Sequence, residues 1–137
     1  MSTTDIPRYW IEKAHDDLGS ARDNFKSDRF SNAVRDSYFA CFHAFSALLI
    51  KSGRTFKKHR EVRAILHRDY IRTEKIGVQW GKHYDWLFDN RHKADYRPLV
   101  HFEADQVEEI LLNSDAFVRH MSEYLKQENK EVEVKKE

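Results

Sequence analysis

The chain is predicted to be all-α, an antiparallel bundle of four main helices with one short accessory helix. Apolar residues recur at steps of three and four along most of its 137 residues, and only two prolines and four glycines punctuate them. That is too few turn signals for a sheet. With 40% apolar and 34% charged residues, the composition suits amphipathic helices around one core. One domain is expected, over residues 1–126, followed by a charged tail at 127–137 that is expected to be disordered.

The first helix is predicted from about Pro7 to Lys26. Proline fits a first helical turn, and Trp10, Ala14, Leu18, Ala21 and Phe25 follow on one face. Ser27-Asp28 interrupts the pattern, and Asp28 is expected to cap the next helix. That second helix, about Arg29 to Lys51, carries Phe30, Ala33, Val34, Tyr38, Cys41, Phe42, Phe45, Leu48 and Leu49. A stripe this broad can touch two neighbours, which makes it the central helix. Gly53 can then adopt a left-handed C-terminal cap. A third, short helix around Lys58 to Asp69 turns Val62, Ile65 and Leu66 inward, and a connection leads on to Gly77 or Gly81. The fourth runs from Trp80 to Asp95, with a break expected at Arg97 because Pro98 disfavours helical geometry there. The last, about Glu103 to Lys126, buries Val107, Ile110, Leu111, Phe117, Val118, Met121 and Leu125 behind an acidic first turn.

Net charge is only +1, which disfavours a protein that grips nucleic acid over a wide surface, yet the charge is uneven. Residues 51–75 hold nine Lys/Arg against three Asp/Glu, a local +6. Such a segment can meet phosphates or an acidic partner, or be a solvated face. Cys41 is the single cysteine, so no internal disulfide or cysteine-based metal site can form, and its apolar face makes it a core residue. The longest apolar run, Ala44 to Ile50, is far short of the roughly 20 residues a spanning helix needs. No signal pattern precedes it, so a cytoplasmic protein without membrane contact is expected. No metal or cofactor is expected: His15-Asp16-Asp17 and His101-Phe102-Glu103 lack the spacing of a paired metal motif, and no glycine-rich phosphate loop is present.

Arg91 is the anomaly. Trp80, Tyr84, Leu87 and Phe88 recur at helical spacing, and the next position of that buried stripe is Arg91, followed one turn later by Asp95. A guanidinium there serves a site or a contact with another chain, or forms a simple helix ion pair with Asp95. His43, on the apolar central helix, is either a hydrogen-bonded core histidine or a proton carrier. His59, within Lys57-Lys58-His59-Arg60, is either a surface residue or a phosphate contact. Tyr38 and Trp80 are read as core.

Ala33 to Leu49 with its Tyr38, Ala40 and His43, the Lys57-Lys58-His59 segment, and Arg91-His92-Lys93-Ala94-Asp95-Tyr96 together resemble the HEPN domain family, from about Tyr9 to Leu125. The resemblance implies a helical bundle that commonly forms homodimers, often works with a small nucleotidyltransferase, and belongs to toxin–antitoxin or defence systems. Many members resemble metal-independent ribonucleases whose signature is an arginine, a polar residue and, after a spacer, a histidine. Arg91-His92 matches the first half. Where the second histidine would fall, the chain has Tyr96 to Pro98. It is similar instead to the branch with an arginine, three residues and Asp-Tyr.

That departure matters chemically. Metal-free RNA cleavage needs a base for the 2′-hydroxyl, a proton for the leaving oxygen and positive charge at the phosphorane. Arginine supplies only the last. Unperturbed Asp and Tyr, near pKa 3.9 and 10, are poorly matched to the proton transfers. His92 points about 100° away from Arg91 on the same helix. Two readings follow. In the first, the chain is a dimeric binding module for a nucleotidyltransferase or for a nucleotide or phosphate, with Asp95, Tyr96, His43, Lys57, Lys58 and His59 around Arg91; Tyr96 is then a candidate for modification by the partner. In the second, it is a ribonuclease toxin with a degenerate site built on Arg91 and His92 and a histidine from elsewhere.

Overall fold

The computed structural model describes the backbone of residues 5–96 and 101–136 and the side chains of residues 6–92 and 101–128. Five α-helices follow one another: α1 (Asp5–Lys26), α2 (Phe30–Lys51), α3 (His59–Ile65), α4 (Val78–Tyr96) and α5 (Ala104–Lys136). Helices α1, α2, α4 and α5 form the bundle, and α3 is the accessory helix. Contacts between α1 and α2 run in opposite senses, Asp17 meeting His43 and Asn24 meeting Asp36, so the pair is antiparallel. The same holds for α4 and α5, where Trp80 meets His120 and His83 meets Ser114.

Helix α2 lies at the centre. From Ala40 to Leu49 every residue is buried, because α1, α4 and α5 all pack against the helix, and His59 at the start of α3 stacks on Phe42. Tyr38, Phe45, Leu48 and Leu49 are wholly enclosed, with Leu18, Tyr84, Leu87, Phe117 and Met121 supplied by the other three main helices. Cys41 is buried among them, as its apolar neighbours predict, and burial pushes its thiol far up. The helix ends at Gly53, whose φ of +80° accommodates the reversal. The Gly53 and Arg54 amides donate to Ile50 and Leu49 carbonyls, satisfying the last turn.

The structure corrects several boundaries. Asp28 does not cap α2: its φ is +58°, the cap position is Arg29, and no side chain bonds the first turn. A capping carboxylate needs β-region backbone, and the tight reversal after α1 places Asp28 in the left-handed region instead. The third helix is split, α3 ending at Ile65 and continuing as a π-helical turn over Leu66–Ile71. There the Arg72 amide reaches back five residues to the His67 carbonyl. Gly81 lies inside α4 rather than in the connection, and lets α4 approach that turn. A Cβ at Gly81 would stand 3.1 Å from both His67 and Ile71. Helix α5 runs on to Lys136, past Lys126 where the apolar pattern stops, through a stretch rich in Gln, Glu and Lys, residues of good helix propensity. The break expected at Arg97 lies outside the described residues.

Candidate functional site

Arg91 lies near the C-terminal end of α4, directly over the central helix. Its guanidinium carbon is 4.7 Å from the centre of the Tyr38 ring and 6.0 Å from that of Phe88. Arg63 of α3 covers Phe88 as well, at 4.1 Å, and pairs with Asp89 at 3.4 Å. Aromatic faces attract both cations, which accounts for an arginine on an apolar stripe. The Arg91 Nε is buried and has no hydrogen-bond partner among the described residues. An unsatisfied guanidinium N–H beside an aromatic wall is costly unless a ligand completes it.

Tyr38 links Arg91 to His59. Its hydroxyl is 2.8 Å from His59 Nδ1, and the His59 ring stacks on Phe42 with centroids 4.2 Å apart. Burial, then the nearby charges of Arg91 and His43, hold the His59 imidazole below its ordinary range. His59 is therefore neutral at pH 7, the form that accepts a proton. Burial pushes the Tyr38 phenol up despite the Arg91 and Arg63 charges, so Tyr38 stays protonated.

His43, one turn along α2 from Phe39, faces α1. Its Nδ1 is 2.6 Å from Asp17 Oδ2, and its ring packs 5.2 Å from Trp10 and 6.0 Å from Phe39. His43 is 8% exposed. Phe42 touches both imidazoles, His43 edge-on at 5.5 Å and His59 face-on, so the two rings flank the same aromatic surface.

Arg91 and His59, far apart in sequence, thus come together around Tyr38, while His43 meets the Phe42 ring on which His59 stacks. His92 is exposed and Arg91 half-buried, as the turn of α4 separates consecutive residues. Lys57 and Lys58 are exposed at the entry to α3, where the Lys57 amide donates to Glu61 Oε2 at 3.2 Å. Much of the basic central segment is spent on protein contacts: Arg54 and Arg68 both pair with Asp69, and Arg63 with Asp89. The side chains of Asp95 and Tyr96 lie outside the described residues, and with them the expected Arg91–Asp95 pair. Among the described residues no cluster of His, Cys, Asp and Glu could hold a metal ion, and no helix is long and apolar enough to cross a membrane.

Sequence reasoning missed Asp17 and the second face of Tyr38. Asp17 follows Ala14 by three positions and precedes Leu18, so it borders the buried stripe of α1. The same signal that singled out Arg91, a charge beside a core stripe, was present there.

A four-helix bundle with an arginine, a tyrosine and two histidines gathered beside its central helix is the class of protein that this fold and site define. The HEPN domain family model matches residues 7–128, and the chain belongs to that family. A Thermotoga maritima protein named "UPF0332 protein" is 34% identical over 113 residues, covering 82% of this chain and 86% of its own. A Methanocaldococcus jannaschii protein bearing the name "Putative toxin" is 25% identical over 119 residues, 87% of this chain and 81% of its own. A second so named in that organism is 28% identical over 117 residues, 85% and 87% respectively.

Proposed function

We propose that this chain is a toxin-type HEPN module that binds a nucleotide or an RNA phosphate at Arg91, working as a homodimer with a small nucleotidyltransferase as its partner protein in a toxin–antitoxin setting. The observation that carries the reading is the buried Arg91 Nε beside Tyr38, which has no hydrogen-bond partner among the described residues. A phosphate oxygen at this guanidinium gains a charge-assisted hydrogen bond. Relatives named as toxins support the setting. Lys57 and Lys58, exposed beside His59, add positive charge along the approach. Tyr96 is the proposed site of modification by the partner, which intact-mass analysis after co-expression tests: an unmodified Tyr96 removes it.

Binding is tested by fluorescence anisotropy with a 2′-O-methyl RNA oligonucleotide and with ATP. Arg91→Ala is expected to weaken binding about tenfold, the worth of one charge-assisted contact. Equal affinity of both proteins would sink the reading.

A second reading, metal-independent ribonuclease, is favoured by His59. A neutral imidazole in the field of Arg91 is the base that Arg91-His92 by itself lacks. Cleavage of an RNA pool in the presence of EDTA, lost in Arg91→Ala, decides between binding alone and binding with chemistry.

A further inference from the structure

We infer that Arg63 is the second cation of the Arg91 site, and that the pair takes a nucleoside di- or triphosphate, whose neighbouring phosphoryl groups the two guanidiniums share. The inference rests on the phosphate-binding reading above and narrows its ligand class.

Arg63 and Arg91 reach the site from different helices, α3 and α4, and both stand against the Phe88 ring, 4.1 and 6.0 Å from its centre. Both charges also bear on the Tyr38 hydroxyl, so they act on one small volume. Cations gathered this closely repel one another, and aromatic faces offset only part of that cost. Asp89 answers Arg63, but weakly. The contact is 3.4 Å, against about 2.8 Å for a good charge-assisted bond. The Arg63 side chain is 35% exposed and that of Asp89 61%, and a solvated pair of this kind is worth little. Arg63 can therefore leave Asp89 for a stronger anion. Other arginines of the same segment are held more firmly: Arg68 and Arg54 both donate to Asp69, and these bonds keep its carboxyl far below the usual range.

Two guanidiniums at one aromatic ring favour a compact polyanion. A lone phosphoryl group must divide its oxygens between them, whereas two adjacent groups give each guanidinium a set of its own and add negative charge. An extended strand would be gripped by cations spaced along a groove. Here the net charge is only +1, and the exposed cations next to the pair, Lys57, Lys58 and Arg60, occupy one short stretch at the start of α3. Half-buried Phe39 and Phe56 flank this end of the site, Phe39 against His59 and Phe56 against Phe42, and offer a base a stacking surface.

The test is calorimetric titration of the full chain with ATP, ADP, AMP and a 2′-O-methyl RNA oligonucleotide, in EDTA so that no metal ion bridges the phosphates. ATP and ADP should bind about tenfold more tightly than AMP or RNA, the worth of one further charge-assisted contact. Arg63→Ala should cost ADP about tenfold and bring it level with AMP. Asp89→Asn, which removes the competing charge, should strengthen ADP binding about threefold, a gain that a packing role for Arg63 does not produce. Thermal melts accompany each variant. If Arg63→Ala does not fold, Arg63→Lys decides, with an expected loss of about threefold because an ammonium holds phosphate without the planar fork. Equal affinity of the wild-type protein for ADP and AMP, or an ADP affinity that substitution of neither Arg63 nor Asp89 moves, overturns the inference; AMP binding weakened by Arg91→Ala then leaves the binding reading standing. RNA bound more tightly than ADP, and lost in Arg63→Ala, gives the pair to a strand and overturns the assigned ligand. Failure to bind any of the four overturns both.

Discussion

The two ends of α4 bury similar side chains to different effect. Near its start, Trp80 stacks on His120 at 4.8 Å, and His83 Nε2 meets the Ser114 hydroxyl at 2.9 Å. Near its end, Arg91 covers Tyr38, and Tyr38 holds His59. Both regions combine aromatic rings with histidines. At the first, the cations along the neighbouring groove are already paired, Arg119 with Asp115 at 3.0 Å and Lys126 with Glu123 at 3.6 Å. At the second, Arg91 Nε has no hydrogen-bond partner among the described residues, and the histidines draw on carboxylate and phenol from separate helices. Burial of a histidine therefore does not mark a site in this protein.

The largest expected effect belongs to the structural end. Burial lowers His83 from 6.5 to about 4. Between those values the unfolded chain binds a proton that the folded chain refuses, so stability is lost as pH falls from about 6.5 to about 4. The loss from this group is on the order of 3 kcal/mol. Urea denaturation of the wild-type protein and His83→Gln at pH 7, 5.5 and 4.5 reads it as the difference between the two proteins. The variant should be less steeply acid-sensitive, with RNA affinity at pH 7 unchanged. His59, lowered in the same direction, contributes with the same sign and leaves a residual slope in the variant.

Replacing arginines sharpens the contrast. Arg91→Ala should cost about tenfold in RNA affinity and about 1 kcal/mol of stability from its cation–π contacts. Arg119→Ala, removing an exposed pair with Asp115, should change both within error. If the two arginines prove equivalent in binding, the comparison fails and the groove at Trp80 becomes the better site.

Tyr38→Phe removes the hydroxyl at His59 and keeps the ring under Arg91. A loss of about 1 kcal/mol in urea is expected, with the His59 titration followed by NMR changing and RNA affinity largely kept. The smallest effect is expected for His120→Ala, about 0.5 kcal/mol from the lost stacking on Trp80, with no change in RNA binding.

Helix order and the single core were legible in the sequence because the signals are local. The stripe from Phe30 to Leu49 predicted a central helix, and α2 is that helix. Arg91 stood out for the same reason, as a charge in an apolar register. Asp28 was not legible as a left-handed residue, since capping chemistry and turn chemistry use the same side chains. Nor was the π turn at Leu66–Ile71, where the Arg72 amide takes the His67 carbonyl five residues back.

The sequence by itself determined the four main helices, the buried thiol of Cys41, the glycine stop at Gly53 and the position of the anomalous arginine. Periodicity and backbone preference act over a few residues, so one chain suffices to show them. Only the tertiary structure decided that Asp17 meets His43 and that Tyr38 ties His59 to Arg91. Those pairings depend on how far each helix is rotated and shifted against its neighbour. Side-chain packing across the whole core sets that relation, and no single helix encodes it.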